Sequence, residues 1–216
     1  MTDTPTTDNP TDPTRCGFVA LIGAPNSGKS TLTNALVGAK VSIVTHKAQT
    51  TRGPVRGIVL AGDAQVILVD TPGIFQPKRR LDHAMSQAAW DRAGGADMVA
   101  LVVDAARGLD DKLAPIVEHL PELNRPVIAV LNKVDLVKKS ELLKLTSELI
   151  GLKAFAETFM VSALTGDGVD DLRAYLASAV GEGPWLFPED QLSDASLRQT
   201  AAEITREKLF LRLHEE

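Results

Sequence analysis

Apolar residues gather into short runs along most of the chain: "GFVALIG", "AQVILVD", "ADMVALVVDA", "RPVIAVLN" and "ETFMVSA". Each run is bounded by Gly, Asp, Asn or Pro, and amphipathic stretches with helical spacing lie between most of them. Apolar strands alternating with helices predict a parallel sheet covered on both faces. "VRGIVLAGDAQVILVD" breaks the rule, because the Gly62-Asp63 turn is too short for a helical crossover. That pair must be antiparallel. The predicted fold is therefore α/β and three-layered: a mostly parallel six-stranded sheet with one antiparallel edge strand, plus a C-terminal helix.

The two ends read differently from the middle. Residues 1–15, "MTDTPTTDNPTDPTR", carry hardly an apolar side chain and predict a disordered tail. "GEGPWLFPED" is dense in Gly and Pro, so residues 182–193 are expected to be a linker after a domain spanning 16–181. Beyond it, Leu197, Ala201, Ile204 and Leu211 fall at helical spacing, with Asp194 placed to cap a helix over 194–216. Leu209, Phe210, Leu211 and Leu213 give its last turns apolar surface on nearly every side, which calls for a cover.

Composition narrows the class. The 216 residues carry a net charge of −5, which argues against bulk electrostatic binding of nucleic acid. The single Cys16 rules out an internal disulfide, and no His/Cys cluster suggests a metal centre. No run of eighteen apolar residues and no basic-then-apolar leader occurs, so a soluble, cytoplasmic protein is expected.

Candidate chemistry follows the strands. "GAPNSGKS" comprises Gly23, Ala24, Pro25, Asn26, Ser27, Gly28, Lys29 and Ser30; with Thr31 it lies between the first strand and a helix. Such glycines let backbone N–H groups wrap a phosphate chain, and the helix N-terminus adds its positive end. Lys29 is placed to reach the β- and γ-phosphates, and the Ser30 hydroxyl to ligate Mg²⁺. "DTPG" (Asp70, Thr71, Pro72, Gly73) ends the third strand, on the sheet edge that binds ligands. Asp70 can hold Mg²⁺ through a water, and the Gly73 N–H can meet a γ-phosphate.

"NKVD" (Asn132 to Asp135) ends the fifth strand and selects the base. Guanine offers a carboxylate two donors in line, N1–H and the 2-amino group; adenine offers an acceptor and leaves Asp135 unpaired. Asn132 can brace the purine edge while the Lys133 stem lies over the ring. "SAL" (Ser162, Ala163, Leu164) follows the last strand, where the Ala163 N–H could reach guanine O6.

In this order, and each just after a strand, the four elements resemble the Ras-like P-loop GTPase superfamily over Gly17 to Gly181. Ile74 stands where Ras-type enzymes place a water-orienting glutamine, and Asn26 stands where glycine would suffice. Together these resemble the TrmE–Era subgroup, which implies that Asn26 and switch I carbonyls hold K⁺ beside the phosphates; a local loop hydrogen bond is the alternative role for Asn26. "KAQTTRGPVRGI", "FPED" and "AAEITREKL" are similar to the Era family of bacterial ribosome-assembly GTPases, from Cys16 to the end. The resemblance implies GTP hydrolysis to GDP and phosphate, with Lys29, Asn26, Thr51 and Gly73 catalytic and Ser30, Thr51 and Asp70 at Mg²⁺. Thr50 remains the alternate to Thr51. It also implies a role in small-subunit maturation through the 3′ end of 16S rRNA and the 30S subunit, and peripheral contact with the inner membrane. Residues 194–216 match the first helix of a KH-type domain; no Gly-x-x-Gly clamp follows, so weak RNA binding is expected of this chain. Lys47, Arg52, Arg56, Lys78, Arg79 and Arg80 form either a basic rim toward ribosomal RNA or solvated loops. Two other classes compete: a GTP-binding module without hydrolysis, favoured by Ile74, and a P-loop kinase or ATPase, opposed by "NKVD".

Overall fold

Arg15, the last residue of the expected tail, instead begins the first strand, and Thr14 before it is hydrogen-bonded to Gly183. The Arg15 guanidinium donates to the carbonyls of Ser178 at 2.8 Å and Val180 at 2.9 Å, and Thr14 Oγ1 donates to Gly183 O at 2.9 Å. These contacts belong to a computed structural model that describes residues 13–44, 55–74, 80–111 and 113–212. In chain order the elements are β1 (Arg15–Ile22), α1 (Lys29–Val37), β2 (Val55–Ala61), β3 (Ala64–Asp70), α2 (Arg80–Gly94) and β4 (Met98–Asp104). Then come α3 (Ala114–His119), β5 (Val127–Asn132), α4 (Lys139–Gly151), β6 (Thr158–Val161), α5 (Val169–Ala179) and α6 (Leu197–Arg212).

The six strands lie in the order β2-β3-β1-β4-β5-β6. All pairs are parallel except β2–β3, where Ala61 faces Ala64 across a turn that needs the left-handed φ of 61° at Gly62. The expected fold is therefore the observed one.

Period-two alternation splits each central strand between two cores. Val19 and Leu21 point into one, with Leu32 and Leu36 of α1 and Leu172 and Leu176 of α5. Ala20 and Ile22 point into the other, with Ala89 and Ala93 of α2, Ile116 of α3 and Leu145 and Leu149 of α4. Leu21, Ile22, Leu32 and Leu149 are fully buried, and each such side chain contributes roughly 1.5–3 kcal/mol. Two covered faces leave the ends of the strands, not the flat of the sheet, as the place for a site.

The C-terminal region departs from expectation in three ways. Residues 182–193 are pinned to the domain: fully buried Gln65 accepts from the N–H groups of Leu186 (2.9 Å) and Phe187 (3.0 Å) and donates to Phe187 O (2.8 Å). Trp185 Nε1 adds a bond to Asp63 O at 3.0 Å. Secondly, α6 starts at Leu197, not near Asp194. Ser196 and Gln199 cap it reciprocally, Gln199 Oε1 accepting from Ser196 N at 2.9 Å and Ser196 Oγ from Gln199 N at 3.3 Å. Finally, among the described residues α6 meets the domain through a carboxylate. Glu207 is buried, accepts from Lys40 Nζ, and accepts from Val44 N at 3.0 Å, while Ile204 and Leu209 stay exposed. Burial pushes the Glu207 carboxyl up, but those hydrogen bonds and the Lys40 and Lys208 charges outweigh it and hold it below the ordinary carboxylate range.

Candidate functional site

Parallel strands carry their C-terminal ends to one edge of the sheet, and the loops that leave them enclose a cavity of about 470 Å³. Pro25, Asn26, Gly28, Lys29, Ser30 and Thr31 line it after β1, Thr71 and Gly73 after β3, Asn132, Lys133 and Asp135 after β5, and Ala163 and Leu164 after β6. Ile43, Val44, Arg107 and Leu136 line it as well, and no motif singled them out. Gly23, Ala24, Ser27, Asp70, Pro72 and Ser162 stand behind this wall, not in it.

The phosphate loop is wound on its own lysine. Buried Lys29 donates from Nζ to Gly23 O at 3.0 Å and Ala24 O at 2.9 Å, so its ammonium sits at the centre of the turn. Glycine is required at two points. A Cβ on Gly23 would lie 2.3 Å from Val102 O, and one on Gly28, whose φ is 96°, would lie 2.2 Å from Asn132 Nδ2. Burial lowers the Lys29 pKa to about 8, and the Asp70 charge only partly opposes this.

Between pH 8 and the ordinary 10.5 the empty site holds Lys29 neutral while the unfolded chain holds it charged, so stability of the empty fold rises with pH through that window. An anionic phosphate chain reverses the bias by raising the lysine pKa. GDP binding above pH 8 should therefore take up a proton, and affinity should fall by up to about tenfold per pH unit. Calorimetric titration at pH 9 in two buffers of different ionisation enthalpy should report uptake approaching one proton. Equal heats in the two buffers would contradict this.

After β3, Ser30 Oγ donates to Asp70 Oδ2 at 2.6 Å, and Asp70 is fully buried. A hydroxyl and a carboxylate brought together are hard oxygen donors, a set that fits Mg²⁺. Thr71 Oγ1 donates to Leu21 O at 2.7 Å and anchors the turn to β1. Gly73 lies so near the phosphate loop that a Cβ there would be 2.8 Å from Pro25 Cα. Ile74 is buried among apolar side chains of the second core, and its N–H donates to Gly23 O at 2.9 Å; its side chain faces away from the cavity. Thr50, Thr51, Lys47, Arg52, Lys78 and Arg79 lie outside the described residues, as do the side chains of Arg56 and Arg80.

After β5, Asn132 is almost wholly buried and joins three loops. Its Nδ2 donates to Ser27 O at 2.9 Å and its Oδ1 accepts from Ala163 N at 3.0 Å. That last bond departs from expectation, since it occupies the N–H assigned to guanine O6. Ser162 is buried and shapes the loop through Thr165 N, 3.1 Å from its Oγ, while Leu164 is 81% exposed at the rim. Lys133 does more than lie flat: Nζ donates to Asn26 O at 2.7 Å and Asp104 Oδ2 at 2.6 Å. Asp104 escaped the motif reading because it follows no signature and reaches the cavity only through another side chain.

Comparison with known proteins agrees with this geometry. Residues 18–133 match the family described as 50S ribosome-binding GTPase. The chain is 61% identical over 204 residues to GTPase Era of Afipia carboxidovorans, covering 94% of this chain and 66% of that protein. With GTPase Era of Sinorhizobium medicae it shares 57% over 217 residues, covering 98% and 70%. A crystal structure of Era in complex with MgGDPNP and nucleotides 1506–1542 of 16S ribosomal RNA superposes with a TM-score of 0.88 at 40% identity, covering 94% of this chain and 69% of that one. The chain thus spans about two thirds of the length of the curated relatives it matches. With this likeness to curated Era GTPases over most of its length, and with the loops after β1, β3, β5 and β6 meeting at one cavity, the chain belongs to the Era family of GTPases.

Proposed function

We propose that this chain binds GTP and hydrolyses it to GDP and phosphate as the nucleotide switch of an Era-type protein. The observation that carries the reading is that Lys29, Ser30, Gly73 and Asp135 line one and the same cavity. Lys29 and the loop N–H groups would receive the phosphates, and Asp135 would pair with the guanine edge. Ser30 and Asp70 would hold Mg²⁺, which offsets phosphate charge when bound. A related Era structure contains MgGDPNP and another contains GDP·AlF₄⁻. Thr51, or Thr50, is assigned to the same end of the nucleotide.

Ile74 lies in the core, so the position that carries the water-orienting glutamine in Ras-type enzymes offers no polar atom to the phosphates here. We assign compensating positive charge to K⁺ held with Asn26, which lines the cavity. Single-turnover GTP hydrolysis should be slow, absent with ATP, and faster in potassium than in sodium. Equal rates in the two salts would remove the potassium assignment. Tight GTP binding with no turnover in either salt would favour the binding-module reading.

The partner proposed for the longer protein is the 3′ end of 16S rRNA in the 30S subunit, because a related Era was solved with that RNA. For residues 194–216, read as part of a KH-type domain, the binding expected here is weak and strongly salt-dependent. Among the described residues no helix is long and apolar enough to cross a membrane. A cytoplasmic place is assigned on the family reading, and peripheral attachment to the inner membrane is its second expectation.

A further inference from the structure

Four non-glycine residues among those described have a left-handed backbone, and two of them touch: Asn26 (φ 64°) and Lys133 (φ 66°). Such a backbone is unfavourable for a residue with a Cβ, less so for asparagine than for lysine. One ammonium joins them, for Lys133 Nζ donates to Asn26 O at 2.7 Å. Its second bond, at 2.6 Å, is to Asp104 Oδ2.

Asp104 is well placed to anchor that ammonium. It is the last residue of β4, lies opposite Asn132 in the β4–β5 register, and is 8% exposed. Its own position is fixed from the other side, where Oδ1 accepts from Ala106 N at 3.1 Å and Arg107 Nε stands 3.7 Å from Oδ2. Charge-assisted bonds of this length, half shielded from water, are stronger than neutral ones. Without the carboxylate, the ammonium would have one carbonyl and open solvent to choose between.

We propose that Asp104 is a positioning residue for nucleotide retention: it fixes Lys133, which in turn holds the Asn26 carbonyl and so the phosphate loop in its binding shape. The proposal rests on the reading of the cavity as a guanine-nucleotide site. The competing role is local, since an aspartate bonded to the N–H two residues on also forms a turn.

The two roles separate experimentally. Asp104→Asn keeps the acceptor that faces Ala106 but removes the charge that faces Lys133. Release of fluorescent GDP should quicken about tenfold in Asp104→Asn and Asp104→Ala alike. In Lys133→Met, which has lost the intermediary, adding Asp104→Ala should change release less than twofold. Asp104→Asn releasing GDP like the unaltered chain would assign the residue to the turn alone and overturn the proposal. So would additive effects in the double variant. Failure of the unaltered chain to bind GDP would instead refute the nucleotide reading itself.

Discussion

Asp135→Asn should lower GDP affinity by about a thousandfold or more and give the chain a preference for xanthosine diphosphate. Asp135 lines the cavity from the short turn Val134–Leu136, immediately after β5. A carboxylate there would accept from both N1–H and the 2-amino group of guanine. Asparagine turns one acceptor into a donor, which meets guanine's own donor and leaves two buried groups unpaired. Xanthine has an oxygen at the 2-position, so the new donor finds a partner. Equilibrium titration of GDP, ADP and xanthosine diphosphate against both chains measures the exchange. If GDP and ADP bind the unaltered chain comparably, or if the variant keeps its GDP affinity, Asp135 does not select the base.

Asn132→Ala should be nearly as damaging, and by a different route. Its amide links Ser27 O to Ala163 N, so truncation strands a buried carbonyl and a half-buried N–H. Each stranded group costs about 1–3 kcal/mol, and the pair therefore about 2–6. That sum should lower the thermal midpoint by at least about 4 °C without nucleotide, and GDP should restore less stability than it gives the unaltered chain. Asn132→Asp keeps the acceptor for Ala163 and loses the donor, so its loss should be intermediate. Calorimetric midpoints, with and without GDP, settle the matter. Unchanged values would mean that the three loops are held by something else.

What the chain's own letters disclosed depends on distance along it. "GAPNSGKS", "DTPG" and "NKVD" each put a loop after its own strand, so local pattern located them and the parallel sheet brought them together. Asp104 had no such signature, because its partner Lys133 is adjacent only through the β4–β5 register. The start of α6 was legible yet misread: Ser196 followed by Gln199 is a capping box, and Asp194 is merely a cap-forming residue two positions too early. Glu207 lay further out of reach. Apolar spacing singled out Leu197, Ala201 and Ile204, whereas it is Glu207 that Lys40 and the Val44 N–H draw inward. Buried charge follows its partner, which lies far off in sequence.

The pinned stretch 182–193 has a consequence beyond tethering. β2 ends the strand order, so its outward N–H and C=O groups are open to any strand that arrives. Here Ile58 N donates to Leu192 O at 3.0 Å and Gly57 pairs with Ser193, so the connecting segment occupies part of that edge. At the opposite edge, β6 spans only Thr158–Val161, too short to be an inviting template. A piece cut at residue 181 would keep every nucleotide motif and lose the shield of its longer open edge. Its hazard would then be not misfolding but strand-to-strand pairing with its own copies.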